Sequence, residues 1–220
     1  MNDADLIEAF AQGDAARVRE LVSAQPALAN VRKDGMSLLL LGRYQNDRAM
    51  TDALRSADQP LDVFEAAAFD DASRLGALLA AQPDLARVWS PDGFTALHLS
   101  AFFGGVAGAR LLLDAGADLD VISRNDFAVA PLNSAAAGRI PVALLLVERG
   151  ADVNVQQRHG WTALHAAAHN GSMELLEALL AAGADLTLTT DDGVTALETA
   201  RMSGHEAIAE RLEEAAARAQ

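Results

Sequence analysis

Two short phrases recur along the chain at nearly constant spacing, and this periodicity limits the possible fold more than any other feature. At intervals of 34 and 33 residues, the phrase Gly-Ala-Asp begins at Gly116, Gly150 and Gly183. In step with it, the phrase Thr-Ala-Leu begins at Thr95, Thr162 and Thr195. A unit of this length is too small to bury its own apolar faces, so neighbouring units must stack to share a core.

The residues within one unit predict two helices separated by turns. Each threonine precedes an apolar stretch, and its hydroxyl can satisfy free backbone N–H groups at the start of a helix. A turn glycine follows the first helix at Gly104, Gly138, Gly171 and Gly204. The second helix is predicted to end at the glycine of Gly-Ala-Asp, where a left-handed residue is tolerated best. A further turn then leads to the next unit.

The N-terminal part repeats more loosely. The stretch from Asp5 to Ala29 recurs 57 residues later, and each copy leads into a loop with an Asp-Gly turn. Between the copies, 37–44 and 48–56 predict another helix pair, with no long loop before the next pair. We therefore predict seven helix pairs, called units one to seven, in a single domain. Its predicted parts are degenerate repeats 1–60, a second degenerate unit 61–91, well-matched repeats 92–191 and a C-terminal capping repeat 192–220.

These motifs resemble the ankyrin-repeat family, which has a period of about 33 residues and the signature Thr-Pro-Leu-His-x-Ala. The resemblance is strongest from Asp84 to Gln220. It implies an all-α solenoid of about seven antiparallel helix pairs, with β-hairpin-like loops, or fingers, projecting in the later repeats. The family binds partners on the concave face formed by fingers and first helices. The resemblance therefore implies non-catalytic recognition of a protein or peptide.

Composition narrows the functional classes further. The chain has no cysteine, which excludes disulfides, thiolate zinc sites and cysteine nucleophiles. Its net charge of −14 disfavours nucleic-acid binding, because phosphates would be repelled. The N-terminus lacks the pattern of a secretory signal, and no apolar run is long enough to span a membrane. We expect a cytoplasmic protein, monomeric on its own, that contacts neither membrane nor nucleic acid.

Candidates for partner binding are residues that vary between units at finger tips or at the exposed ends of first helices. They are Trp89, Asp92, Phe94, Phe102, Phe103, Arg124, Asn125, Phe127, Arg158, His159, Trp161 and His169. Six of the chain's ten aromatic residues are among them, and exposed rings are unfavourable unless they are used. Packing between repeats is the alternative explanation, and one of the adjacent residues Phe102 and Phe103 could belong to the core.

Three of these rings occupy finger positions in successive units. We predict that Phe94, Phe127 and Trp161 form one apolar ridge, because stacked fingers bring such positions side by side. Arg124 and Arg158 lie in the same fingers and would place positive charge beside the ridge. Such a surface suits a partner segment with apolar side chains and a carboxylate, since arginine can form two hydrogen bonds to a carboxylate.

Unit five departs from the repeat. Asp126 stands at the position of the turn glycine, and Ala-Pro-Leu-Asn, ending at Asn133, replaces Thr-Ala-Leu-His. Asn133 is therefore expected to lose the hydrogen bonds that the imidazole makes in other units. The change is either drift that the structure accommodates locally or a finger that projects Phe127 and Val129 into the groove. Both interpretations are open, because function often collects in irregular loops.

Catalysis has little support in the sequence. His165 and His169 are spaced to bind metal, but His165 belongs to the repeat signature and the segment lacks a glutamate base. His159 or His169 could form an acid–base pair with Asp126 or Asp92. Nothing in their spacing supports such a pair beyond the presence of the residues. We predict no metal site, no cofactor and no enzyme activity.

Two other functions remain as alternatives. A groove walled by Trp89, Phe94, Phe127 and Trp161 could enclose a small molecule and act on it, with His159 or His169 as polar groups. A purely structural adaptor would instead use the acidic residues near the C-terminus. Alanine at position 161 should impair recognition in the protein-binding and small-molecule cases, and should leave the adaptor nearly unchanged.

Overall fold

The computed structural model describes residues 2–218, in which fourteen helices form seven pairs and a short strand ladder precedes the second pair. The elements are α1 (Asp3–Ala11), α2 (Ala15–Ala24), β1 (Arg32–Lys33), β2 (Met36–Ser37), α3 (Leu38–Tyr44), α4 (Arg48–Arg55), α5 (Val63–Ala68), α6 (Ala72–Ala81), α7 (Ala96–Phe103), α8 (Val106–Asp114), α9 (Pro131–Ala136), α10 (Ile140–Glu148), α11 (Ala163–Asn170), α12 (Met173–Ala181), α13 (Ala196–Met202) and α14 (Glu206–Arg218). The predicted seven pairs and the all-α class are confirmed.

The repeated residues form the helix caps that the sequence predicts. In unit four, the Thr95 hydroxyl accepts from the backbone of His98, and Nδ1 of His98 accepts from the backbone N–H of Thr95 at 3.2 Å. Gly104 ends α7 in the left-handed conformation (φ 89°), and Gly116 follows α8 with φ 83°. Units four and six therefore contain their own start and stop signals, which explains why their boundaries can be located from sequence.

Packing between units produces one continuous core. The two helices of each pair contact each other, first helices contact successively from α3 to α13, and second helices contact successively from α6 to α14. Buried apolar side chains form a cluster that extends from Leu6 to Leu212. Within residues 2–218, no helix has both the length and the apolar character needed to cross a membrane.

Fingers precede units two, four, five, six and seven, at residues 31–37, 88–95, 121–130, 155–162 and 188–195. The finger of unit two has the longest ladder, with Arg32 paired to Ser37 and Lys33 to Met36. Asp34 and Gly35 both have positive φ, as a two-residue type I′ hairpin turn requires. The fingers of units four and seven have single bridges instead. The most regular hairpin thus lies earlier than the resemblance implied.

The fingers are tied to one another and to the helices. Backbone N–H groups of Arg124, Arg158 and Asp191 donate to carbonyls of the preceding finger. His98 and His165 join their helices to the next finger through Nε2, which lies 2.9 Å from Val129 O and 3.1 Å from Val194 O respectively. The side chains that line the finger face, where fingers meet the C-terminal ends of first helices, are therefore held on a connected framework.

Candidate functional site

A largely apolar cavity of about 320 Å³ opens where the fingers of units four and five meet the first helices. We call it the aromatic cavity. Its lining consists of Tyr44, Phe94, His98, Leu99, Phe102, Phe127, Val129, Asn133, Ser134, Ala137 and Gln157. Of the residues proposed from sequence for partner binding, the cavity brings together Phe94, Phe102 and Phe127.

The cavity forms beside a place where the chain omits a finger. Residues 56–62 join α4 directly to α5, so unit three has no finger. The fingers of units two and four are therefore neighbours. The two approach closely, and a Cβ atom on Gly35 would lie 3.2 Å from Pro91. Tyr44, at the end of α3, spans this region and donates a hydrogen bond of 2.8 Å to Oδ2 of Asp92. Tyr44 thereby contributes a wall from unit two to a cavity built mainly by units four and five.

Aromatic rings form much of the cavity wall. Phe94 and Phe127 are nearly parallel, with ring centroids 6.5 Å apart and an interplanar angle of 17°. Phe102 packs edge-on against Phe103 at 5.0 Å and lies 6.1 Å from the ring of Tyr44. Phe127 is 61% exposed and Phe102 is 47% exposed, so the wall is open to solvent. Exposed rings gathered around an open cavity are typical of a binding surface.

Asn133 replaces the repeat histidine and corrects one expectation. Its Nδ2 donates to the carbonyl of Val155 at 3.1 Å, which reproduces the bond from histidine to the next finger. The expected loss of the whole tie is therefore wrong. The hydrogen bond between a capping hydroxyl and the side chain at position 133 is absent, because Ala130 has no hydroxyl.

The second polar atom of Asn133 has no partner. The Val155 carbonyl requires a donor, so the amide nitrogen must face it and Oδ1 is the atom left over. The side chain is 6% exposed, and Oδ1 is buried without a hydrogen bond. A buried unpaired acceptor costs about 1–3 kcal/mol. This part of unit five is thus locally unfavourable in the unbound chain.

No arginine lines the cavity, but four arginines contact its lining residues or residues close to these in sequence, and we call them the arginine rim: Arg43, Arg124, Arg139 and Arg158. Nε of Arg139 donates to the carbonyl of Phe102 at 3.0 Å, and Nη1 of Arg158 to that of Asp126 at 3.4 Å. The guanidinium groups of Arg43 and Arg124 lie 4.7 and 4.1 Å from the ring centres of Phe103 and Trp89. Each rim arginine contacts a carbonyl or a ring, and none forms an ion pair within residues 2–218.

Burial changes the protonation behaviour of groups around the cavity. The pKa of Tyr44 is raised far above its ordinary value, first by burial and then by the charge of Asp92, so its hydroxyl stays a donor. The pKa of Arg43 is lowered, first by burial and then by the nearby cation Arg139. Burial also lowers the pKa of His98, which favours its neutral form. The cavity therefore has neutral walls, and its cations lie at the rim.

Several predicted site residues lie outside the cavity. Trp161 is half-buried and contacts the rings of His165 and His169, with centroids 5.7 and 5.9 Å away. The structure therefore joins only Phe94 and Phe127 of the predicted three-ring ridge. Trp89 is also half-buried and lies beneath Arg124.

Other candidates have contacts that hold the framework together. Asn125 donates from Nδ2 to the carbonyl of Asp92 at 2.9 Å, and therefore ties two fingers. Asp92 also accepts from Tyr44 and from the hydroxyl of Ser90. Phe103 is half-buried beside the cavity, and Phe102, its neighbour in sequence, is the exposed member of the pair.

The histidines do not form the catalytic or metal-binding arrangements considered from sequence. Both nitrogens of His165 are engaged, Nδ1 with Thr162 and Nε2 with a backbone carbonyl. His169 pairs through Nδ1 with Ser203, at 3.1 Å. Nδ1 of His159 lies 3.7 Å from Oδ2 of Asp191, and both side chains are exposed, so the carboxylate near His159 is neither Asp126 nor Asp92. In the described range, no group of three or more potential ligand residues is placed to hold a metal.

A continuous stack of helix pairs with recurring caps and fingers defines a repeat solenoid, a class in which each unit contacts mainly its neighbours. The family model described as ankyrin repeats (3 copies) matches residues 63–157 and 135–219. The chain belongs to the ankyrin-repeat family.

The chain is also similar to a curated plant protein. Over 120 residues it is 41% identical to a protein named probable E3 ubiquitin-protein ligase XBOS31, from Oryza sativa subsp. japonica. The match covers 54% of this chain and 27% of that relative. The similarity is thus to about a quarter of the relative's length.

Sequence reasoning missed most of the lining contributed by the helices, and three contributors from outside the fingers are the most informative. Tyr44 and Arg43 lie in unit two, far from the cavity in sequence, and Arg139 follows the turn after α9. The direct connection from α4 to α5 was visible in the sequence, and it brings the finger of unit four next to that of unit two. The proximity of Tyr44 to Asp92 could have been anticipated from that missing finger.

Proposed function

We propose that this chain recognises another protein without catalysis, through the aromatic cavity and the arginine rim. The observation that carries this proposal is an open apolar cavity with exposed Phe102 and Phe127 rings and four bordering cations. Apolar rings supply binding energy, and charged groups at an edge supply orientation and specificity. Because the framework is tied from finger to finger, little ordering entropy is lost when a partner binds.

The comparisons support recognition as the general role. Ankyrin repeats generally mediate contacts between proteins, and the plant relative named as a ligase shares only part of its length with this chain. We propose that the shared repeats serve to recognise a protein, and that this chain has no ligase activity of its own. Its cytoplasmic location, its monomeric state and the absence of nucleic-acid binding stay predictions.

Binding of a small molecule is the second candidate function. One observation favours it, since a cavity of about 320 Å³ lies at the small end of the range used by small-molecule sites. Its walls would be Phe94, Phe102 and Phe127 rather than the two tryptophans considered from sequence. His159 and His169 do not line the cavity, so its polar side chains include Asn133, Ser134 and Gln157 instead.

Quantitative partner capture tests the proposal with two matched variants. Phe127→Ser removes an exposed ring of the cavity, and Met202→Ser removes an exposed apolar side chain at the end of α13 (78% exposed). Both should retain the thermal stability of the wild type, because neither side chain is buried. We expect proteins captured by the wild type to be lost with Phe127→Ser and kept with Met202→Ser.

The outcome also separates the two candidate functions. Equal capture by both variants would contradict recognition through the cavity. Native mass spectrometry of the purified chain should show no bound small molecule. A small molecule that is present in the wild type and absent in Phe127→Ser would favour the second candidate.

A further inference from the structure

We propose that the aromatic cavity and arginine rim bind an acidic segment of a partner protein, which inserts one tryptophan side chain into the cavity. This inference rests on the proposed function and specifies the chemistry of the partner. Two independent features carry it. One is a buried, unpaired acceptor in the cavity lining, and the other is a group of cations without carboxylate partners.

The first feature selects the group that enters the cavity. Among the polar side chains of the lining, those of Tyr44, His98 and Ser134 have hydrogen-bond partners inside the chain. Gln157 makes no side-chain hydrogen bond but is only half-buried, so water can satisfy it. Oδ1 of Asn133 is both buried and unpaired. A bound group that donates one hydrogen bond there would satisfy this acceptor.

Tryptophan matches these requirements better than other apolar side chains. Its indole has one N–H donor and no acceptor, whereas tyrosine adds acceptor lone pairs and phenylalanine has no donor. Its large ring can pack against Phe102 and Phe127, which are 47% and 61% exposed. Oδ1 is screened from water in the free chain, so the donor reaches it after a neighbouring side chain shifts. Phe127, at 61% exposure, is the most exposed ring of the cavity lining.

The second feature selects the residues around the tryptophan. Arginines that pair with carboxylates elsewhere in the described chain are Arg17, Arg32, Arg48, Arg87, Arg149, Arg201, Arg211 and Arg218. The rim arginines have no such pairs, which is also true of Arg19, Arg55, Arg74 and Arg110, although the chain has a net charge of −14. The rim differs from those four arginines because it lies close to the exposed rings of Phe102 and Phe127. Asp126 is exposed on the same finger, but its carbonyl rather than its carboxylate accepts from Arg158. Carboxylates of a partner would complement these cations.

Calorimetric titration with a short peptide tests the choice of tryptophan. The probe is the acetylated and amidated peptide Asp-Glu-Trp-Asp-Glu, compared with versions that carry 1-methyltryptophan or alanine at the centre. We expect the tryptophan peptide to bind, the methylated peptide to bind about tenfold more weakly because it cannot donate, and the alanine peptide not to bind. No binding by the tryptophan peptide would overturn the inference. Equal binding by the methylated peptide would also overturn it.

Arginine variants test the acidic character of the segment. Arg139→Ala and Arg158→Ala should each weaken the tryptophan peptide by about 2- to 5-fold, as expected for exposed charge pairs. Arg110→Ala is the matched control, because this exposed arginine on α8 has no ion pair and lies outside the cavity lining. Added salt should weaken binding to the wild type. Equal effects of all three variants, or no effect of salt, would contradict the role of the rim.

Failure of this inference is distinguishable from failure of the proposed function. If Phe127→Ser abolishes capture of natural partners while the tryptophan peptide does not bind, the inference is wrong and protein recognition by the cavity stands. If capture is unchanged in Phe127→Ser, the proposed function itself is wrong. Binding of the peptide that is retained in Phe127→Ser would place the peptide elsewhere and would also overturn the inference.

Discussion

Restoring the repeat signature in unit five should stabilise the protein. In units four and six, a threonine hydroxyl lies 2.9 or 2.8 Å from Nδ1 of the signature histidine. Unit five has Ala130 and Asn133 at these positions, with no cap and an unpaired Oδ1. The double variant Ala130→Thr/Asn133→His should install the missing cap and remove the unpaired acceptor. The bond to the Val155 carbonyl should be kept, because Nε2 of the repeat histidine makes the equivalent bond.

The size of the effect follows from these separate contributions. A threonine cap contributes about 1 kcal/mol, and removal of a buried unpaired acceptor about 1–3 kcal/mol. Ala130 is fully buried, so the added threonine atoms cost part of this gain through crowding. We expect a net increase of about 1–3 kcal/mol in the free energy of unfolding. For a chain of this length, each kcal/mol corresponds to a rise of about 2–4 °C in melting temperature.

Urea denaturation and thermal melting of four proteins measure this effect. The wild type, the two single variants and the double variant form a cycle that isolates the interaction between the new side chains. The double variant should gain more than the sum of the single variants, because hydroxyl and imidazole satisfy each other. A double variant that is no more stable than wild type would refute the argument. If the stability changes of the two single variants simply add, the introduced hydroxyl and imidazole do not form a hydrogen bond with each other.

Three further predictions concern stability. Leu164→Ala, which empties a buried position in α11, should lower the free energy of unfolding by about 2–5 kcal/mol in urea. Burial lowers the pKa of His98 and of His165 in the folded chain, so as the pH falls these histidines take up protons at a higher pH when the chain is unfolded. The free energy of unfolding, measured by denaturation, should therefore fall as the pH drops below about 6.5. Trp161→Ala should lower the melting temperature while Phe127→Ala should not, because the indole packs on α11 and the phenyl ring is exposed.

The fold could be read from the sequence because its signals are local and repeated. Thr95 caps α7 with groups three residues away, and the left-handed glycines Gly116, Gly150 and Gly183 follow the ends of α8, α10 and α12. Such signals lie within a single unit, so each can be recognised without knowing the rest of the structure. Stacking then follows, because a single unit leaves apolar surface uncovered.

The site could be predicted only in part, because it depends on side-chain directions and on contacts between distant units. Register placed Phe127 and Trp161 in comparable finger positions, but the first faces solvent and the second packs on its own helix. Tyr44 meets Asp92 across 48 residues of sequence. That contact depends on the direct connection between α4 and α5, which the sequence shows as a missing finger and not as a motif within unit two or unit four.

The loss of the repeat signature at Asn133 becomes informative when stability and binding are measured on the same variant. If Oδ1 accepts a hydrogen bond from a partner indole, Ala130→Thr/Asn133→His should bind the tryptophan peptide about tenfold more weakly while it is more stable, because the imidazole Nδ1 is taken by the introduced hydroxyl. Opposite changes of this kind are expected where a binding site keeps a locally unfavourable group. If stability rises and affinity is unchanged, unit five has drifted without consequence for binding, and the unpaired oxygen has no part in recognition.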